Sequence, residues 1–500
     1  MTTEKNVYDG FRSAGKRLTE APLGHLDLHR SNLLGDSVFG IHAFDKAHAL
    51  MLSEEGINTK EVGQKILAGL LAIEASGIAE TRALADGGMH SGEHYLIQNF
   101  GEDIGGRLHL GRSSGDLIEV ARRLTFRMHL HTILRALSDV RSSLLALAEK
   151  HLETVMPGYT HGQHAQPTTF AHWATMFSDV FTRDTARLLS FHTRLNRSPA
   201  GAAILTGSDF PLNRHRVSDL LGFDEPLPHT MDAILSHDLE MEYASVLAVL
   251  AQNVGRLADD LILWSTTEFA MIEVPDRYCG TSSIMPQKKN PDGLEDLKSV
   301  AARSLGVVVT VATAEKGPTG FPIMERRNSQ AMLWDLGRDL GVRLETLGPL
   351  LRDMNVRRSR MLALAGANWA QVTDLSAALV RDAGMDWRTS HQVVAVFVRE
   401  SIEAGVTPAE STSAQLDVAA LKMGASAPQL SASSFAQAMD VRSFVGRRTL
   451  FGGPAPSSVA REITAAKVVL SNDTSVIQGF LNKAAAADIA LDEAVRAFIA

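Results

Sequence analysis

The sequence predicts an all-α fold: three helical domains around a central bundle of long antiparallel helices. Three observations predict it. Five long stretches carry apolar residues at intervals of three and four, the period of one helix face. Many of these stripes are wide, with Ala and Leu on several faces, so the bundle is expected to bury more surface against copies of itself. The chain also carries no glycine fingerprint for a nucleotide, no zinc-type ligand cluster and no internal repeat. At 500 residues it can build a large core and divide into two or three domains.

Residues 1–30 are polar and poorly periodic and read as an extended arm. Residues 45–52 read as one helix, with His48 half-buried on it, and 59–76 as a second, with Val62, Ile66, Leu70 and Ile73 at helical spacing. A glycine- and hydroxyl-rich segment, 105–116, then precedes a long helix and offers a backbone-lined anion pocket, though a plain loop fits its composition equally. The long helix runs through Leu117, Val120, Leu124, Leu130, Leu134, Leu137, Leu144 and Leu147. Residues 156–167, with a proline towards each end and two glycines between, read as a constrained turn. Phe170, Trp173, Phe177, Phe181 and Leu188 mark the second long helix. The third, over 237–269, is the clearest, and at 1.5 Å per residue would span about 50 Å. Residues 294–312 and 333–351 supply two more, and from 363 onward a smaller helical region is richer in Ala and Ser. The expected domains are 1–112, 113–362 and 363–500.

Composition narrows the function. A formal net charge of −8 argues against nucleic acid or a membrane surface as the main partner. Cys279 is the only cysteine, so no intrachain disulfide forms and a reducing compartment fits. With no signal-peptide pattern at its start and no apolar run of spanning length, the chain is expected in the cytoplasm.

The stretch that concentrates chemistry is Gly280-Thr281-Ser282-Ser283-Ile284-Met285-Pro286-Gln287-Lys288-Lys289-Asn290-Pro291. Small hydroxyl residues, two lysines and an amide are delivered to the start of a helix whose first turn is acidic, where the backbone favours an anion. The pattern Gly-x-Ser-Ser-x-Met-Pro-x-Lys-x-Asn-Pro resembles the signature loop of the fumarase/aspartase superfamily, and its Pro-Gln-Lys-Lys-Asn-Pro ending resembles the argininosuccinate lyase branch. Residues 156–167 match the second block of that family (Met-Pro-Gly-Tyr-Thr-His-x-Gln-x-Ala-Gln-Pro). Residues 111–116 resemble the first block, Gly-Arg-Ser-Arg-Asn-Asp. The resemblance spans roughly residues 40–465.

The resemblance implies a homotetramer with a shared active site, no cofactor and no metal, acting on a small dicarboxylate. It implies β-elimination of an N-substituted aspartate to fumarate plus an amine or guanidine compound through an aci-carboxylate. Ser282 would be the general base. Lys288 and Asn290 would grip the carboxylate that takes up charge, with Ser283 assisting, and His161 held by Glu295 would shape the leaving-group side. Thr160 and Ser113 would bind the fumarate half, with Gln166 beside them in the second block.

The chain departs from the family where the amine half binds. The first-block arginine and asparagine are Ser114 and Gly115. Residues 86–93 shift the usual polar contacts, leaving Met89, His90 and Ser91 there. A substrate-side arginine becomes His237. Phe321 takes the place of a tyrosine, and Arg327 and Gln330 are candidates for the positions after it. An ethylenediamine-disuccinate-type or other aspartate-adduct lyase is therefore the alternative. A catalytically silent, crystallin-like relative is a third reading, opposed by intact Ser282, His161 and Glu295.

Overall fold

The computed structural model describes residues 35–85, 88–320 and 323–500; the arm expected over 1–30 lies outside them. The chain opens with α1 (Ser37–Glu54), α2 (Lys60–Ala75), α3 (Ile78–Leu84), α4 (Ser91–Phe100) and α5 (Glu102–Gly105). Ile41, Phe44, Leu50, Ile66 and Leu70 close a first apolar cluster between them. His48 is fully rather than half buried: the 105–116 turn covers it, its Nε2 lies 2.8 Å from the Leu110 carbonyl, and burial lowers its pKa to about 3.

The bundle is built from α6 (Ser114–Lys150), α7 (Phe170–Leu195), α10 (Asp238–Ser265), α11 (Asp292–Ala314) and α12 (Ile323–Asp353). Between α7 and α10 lie two short helices, α8 (Arg214–Leu220) and α9 (Thr230–Leu235). At 37 residues α6 is the longest of the five, about 55 Å at the helical rise. It packs along α7 and α12, while α10 lies along α11. Phe126, Leu137, Phe181, Tyr243, Leu250, Leu257, Leu336 and Leu344 share the resulting core, each at most 1% exposed. Among the described residues, α11 is a helix long and apolar enough to cross a membrane, against the expectation of no such run. Leu294, Leu297, Val300, Val307 and Val311 of this helix face the bundle core, whereas Leu305 and Val309 are exposed on one chain.

Strand is confined to two-stranded pieces among the described residues. β1 (Val155–Thr160) and β2 (Gln163–Thr169) form an antiparallel hairpin where the sequence reads as a turn. β3 (Arg197–Ser198) pairs with β4 (Glu225–Pro226), β5 (Ile272–Glu273) with β8 (Asn355–Val356), and β6 (Gly280–Thr281) with β7 (Lys289–Asn290).

Beyond α13 (Arg358–Ala367) come α14 (Val372–Ala383), α15 (Trp387–Glu403), α16 (Ser413–Lys422), α17 (Ala432–Met439) and α18 (Val441–Gly446). Leu375, Leu379, Val393, Phe397, Leu416 and Phe435 give α14–α17 a core of their own. The last helix, α19 (Pro456–Ile499), leaves that cluster. Val459, Ile463 and Ile477 join the bundle core, and Leu491 and Val495 join the first cluster. A partly buried ion pair secures this return: Arg141 of α6, 1% exposed, donates to Asp473 of α19 at 2.7 Å and to Thr185 of α7 at 3.2 Å.

Candidate active site

The signature loop is a flap. β6 and β7 pair Gly280 with Asn290 and Thr281 with Lys289, so the loop is closed at its base and carries 282–288 at its tip. A Cβ at Gly280 would run into the Asp292 carboxylate, which would have to swing aside. The Ser282 hydroxyl oxygen accepts from two backbone N–H groups, Met285 at 3.0 Å and Ile284 at 3.3 Å. Donors aimed at that oxygen favour its ionised form. Ser283 and Lys288 are exposed, and Ser282 and Asn290 partly so.

The two adjacent lysines differ. Lys289 is bound to Asp276 at 2.6 Å and lies 3.5 Å from Glu273, which makes it a strut under the flap. Among the described residues Lys288 has no ion-pair partner. Beside the flap, Cys279 is half buried with its Sγ 3.7 Å from the Val274 carbonyl, and burial pushes its thiol pKa up, the wrong direction for a nucleophile.

The β1–β2 turn consists of His161 and Gly162, with φ of +56° and +70°. Two left-handed residues are what a two-residue hairpin demands, since that turn matches the twist of its strands. Gly162 adopts the conformation at no cost, whereas His161 is held in a region its side chain disfavours. The turn presents Thr160 and His161 to solvent. Gln166, on β2, donates to Thr373 Oγ1 at 3.2 Å. Glu295 is exposed on the first turn of α11. Among the described residues of one chain, no ion pair joins His161 and Glu295.

The first block begins α6 as a capping box. Ser113 Oγ accepts from Gly115 N at 3.3 Å, and Asp116 Oδ1 accepts from Ser113 N at 2.8 Å. Asp116 is fully buried and also accepts from Gly201 and Ala203, yet burial dominates and raises its pKa to about 6. A Cβ at Gly115 would lie 3.0 Å from Ile204 Cδ1 and 3.1 Å from the Ala203 carbonyl, so the loop over this helix start explains the glycine. Ser114 Oγ lies 2.9 Å from His90 Nε2. Met89 is buried in the first apolar cluster, and Ser91 Oγ accepts from Arg82 at 3.5 Å, so both are packed in the N-terminal region.

His90 and Glu93 share the first turn of α4, and His109 reaches them from the turn before α6. Burial and the Arg112 guanidinium lower the His109 pKa to about 2. Ligand atoms of these three residues lie within 4.8 Å of one another. The i, i+3 spacing of His90 and Glu93 is visible in the sequence; the approach of His109 is not.

A buried charge cluster links α6, α10, α11 and α12 and was missed by sequence reasoning. Arg326 donates to Glu240 at 2.8 Å and Glu119 at 3.3 Å, and approaches Glu315 at 3.3 Å; Arg122 contacts Glu119 at 2.5 Å and Glu240 at 2.7 Å. Burial, reinforced by Glu240, pushes the Glu315 pKa up to about 7, and burial with nearby Arg326 lowers that of His237 to about 4. On the same helix start, Arg327 Nε and Nη1 and Gln330 Nε2 are buried without a partner among the described residues. Buried donors of this kind call for acceptors. Phe321 lies outside the described residues.

Residues 36–306 match a lyase family model, and 369–446 match the argininosuccinate lyase C-terminal model. The chain is 37% identical over 426 residues to the argininosuccinate lyase of Methanosarcina acetivorans, covering 84% of this chain and 85% of that one. It is an argininosuccinate lyase-like member of the fumarase/aspartase superfamily. The lyase is also 36% identical over 438 residues to the argininosuccinate lyase of Methanoculleus marisnigri, covering 86% of this chain and 87% of that one. Among solved structures, an EDDS lyase in complex with formate superposes with a TM-score of 0.84 at 32% identity, over 93% of both chains. These matches bear out the all-α fold and an enzyme of the lyase class.

Proposed function

We propose that this enzyme is a carbon–nitrogen lyase that releases fumarate from an N-substituted aspartate whose amine half itself carries a carboxylate. The observation that carries the reading is the Ser282 oxygen under two backbone N–H donors on a flap hinged at β6 and β7. In this reading Ser282, as its alkoxide, removes the proton from the carbon next to a substrate carboxylate. The electron pair moves into that carboxylate, giving a doubly negative aci-carboxylate. Asn290, Lys288, Ser283 and the N-terminus of α11 stabilise the added charge. Collapse of the intermediate breaks the carbon–nitrogen bond; fumarate forms, and the amine leaves with a proton delivered on the His161–Glu295 side. Ser113 and Thr160 hold the fumarate half. Arg327 and Gln330 face the carboxylate of the amine half, a role supported by their unpartnered buried donors; Phe321 is assigned to the same half by the family resemblance alone.

The active site in this reading is shared within a homotetramer. Val249 and Leu263 on α10, Leu305 and Val309 on α11 and Val342 on α12 are 40% to 64% exposed on one chain, an apolar surface that suits burial between copies. We read the compartment as the cytoplasm, supported by a single cysteine and no disulfide.

Ultraviolet detection of fumarate from argininosuccinate, beside a panel of amines run in reverse with fumarate, tests the substrate. Turnover of argininosuccinate supports the first reading. Turnover of an aminopolycarboxylate adduct alone supports an EDDS-type lyase, which Ser114, Gly115 and His237 favour because they replace an arginine, an asparagine and a second arginine of the family pattern. No fumarate from any adduct would contradict both.

The lysine pair supplies a second test. Lys288→Met is expected to lower kcat by about 10²–10³-fold, the scale of losing one group that stabilises developing charge. Lys289→Met removes a strut and is expected to cost about tenfold or less, the scale of an exposed ion pair. Steady-state kinetics would read both, and equal losses would contradict the assignment.

A further inference from the structure

We propose that His90, Glu93 and His109 form a binding site for a divalent transition-metal ion of the zinc class. Two imidazoles and one carboxylate make a donor set such ions take, with a fourth position left for water or another ligand. His90 and Glu93 sit three residues apart at the start of α4 and so project on one side of it. His90 Nδ1 and Glu93 Oε2 are 3.6 Å apart, about the separation of two donors that each stand 2.0–2.2 Å from a tetrahedral ion. The donor atoms of all three residues lie within 4.8 Å, so small side-chain rotations bring His109 to the same centre.

Two further observations point to a ligand. Glu93 is 7% exposed, and its Oε2 is buried without a hydrogen-bond partner among the described residues. A carboxylate oxygen left in that state carries a large desolvation cost, which a cation would offset. The histidines are also oriented from behind. Ser114 Oγ holds His90 through Nε2 at 2.9 Å, which directs Nδ1 towards Glu93, and the His109 ring packs edge-on against His90 with centroids 4.7 Å apart. Arg112 is the nearby charge that opposes a cation. Its Nη2 is taken by Asp45 at 2.5 Å, but Asp45 also pairs with Arg82 at 2.5 Å, so the neighbouring cluster keeps a positive charge that the three donors must outweigh.

The site shares His90 and Ser114 with the segments assigned to the amine half, so it is tested by ion binding rather than by turnover. Chelator-treated full-length enzyme is titrated with Zn²⁺ by calorimetry and with Co²⁺ by its visible d–d absorption. Wild-type protein is expected to bind about one ion per chain, with the intense Co²⁺ spectrum of a four-coordinate N/O site. Glu93→Gln, which keeps the shape of the side chain, is expected to weaken binding at least tenfold. His229→Ala removes an exposed histidine and is expected to change nothing. No binding by wild-type enzyme, Glu93→Gln binding as tightly as wild type, or loss of the ion in His229→Ala would each overturn the proposal.

Discussion

Ser282→Ala is expected to lower kcat by about 10²–10⁴-fold, the contribution of a positioned general base. KM should change much less. The hydroxyl accepts from Met285 and Ile284 within the flap, so its removal frees two exposed backbone donors and leaves the β6–β7 base intact. A serine is a weak base unless its alkoxide is held, and here two N–H groups already point at the oxygen, with Lys288 six residues along the same loop. The pre-steady-state rate of fumarate appearance reads the chemical step directly. Undiminished turnover in Ser282→Ala would remove the serine from the mechanism.

Asp45→Ala is expected to destabilise the protein by about 3–5 kcal/mol, the cost of removing one partner from a buried ion cluster. Asp45 is 1% exposed and stands between Arg82 and Arg112, each at 2.5 Å. Its pKa falls from 3.8 to about 2: burial works against the charge, and the Arg112 and Arg82 guanidiniums outweigh it. The sign follows. Folding gains from the charged carboxylate above pH 3.8, and that gain is lost as pH falls through about 2. Denaturant unfolding at neutral pH should therefore separate the variant from wild type, and the gap should narrow below pH 3.8. A variant as stable as wild type at pH 7 would contradict the role given to the cluster.

Much of the fold was legible because long helices repeat their apolar residues. Leu117 to Leu147 and Phe170 to Leu188 place α6 and α7 within a few residues, and Val62, Ile66, Leu70 and Ile73 place α2. The β1–β2 hairpin was not legible as strand, since two prolines and two glycines in twelve residues hide any alternation. The extent of α19 was hidden for the opposite reason: over 44 residues only a few apolar positions, such as Val459, Ile463, Ile477, Leu491 and Val495, are buried. In the proposed site, Ser282, Lys288, His161 and Glu295 come from linear motifs. The Arg326–Glu240–Glu119–Arg122 cluster joins residues far apart in sequence, with no local pattern to announce it.

His161 and Glu295 sit exposed and unjoined on one chain, so the proposed centre stands or falls on neighbouring copies supplying its parts. Ser282→Ala and His161→Asn should each be nearly inactive alone. Mixed under conditions that exchange subunits, they should regain up to about a quarter of wild-type activity, because some sites then draw an intact serine and an intact histidine from different chains. Verified mixed assemblies that stay as inactive as their parents would contradict a site built around this flap.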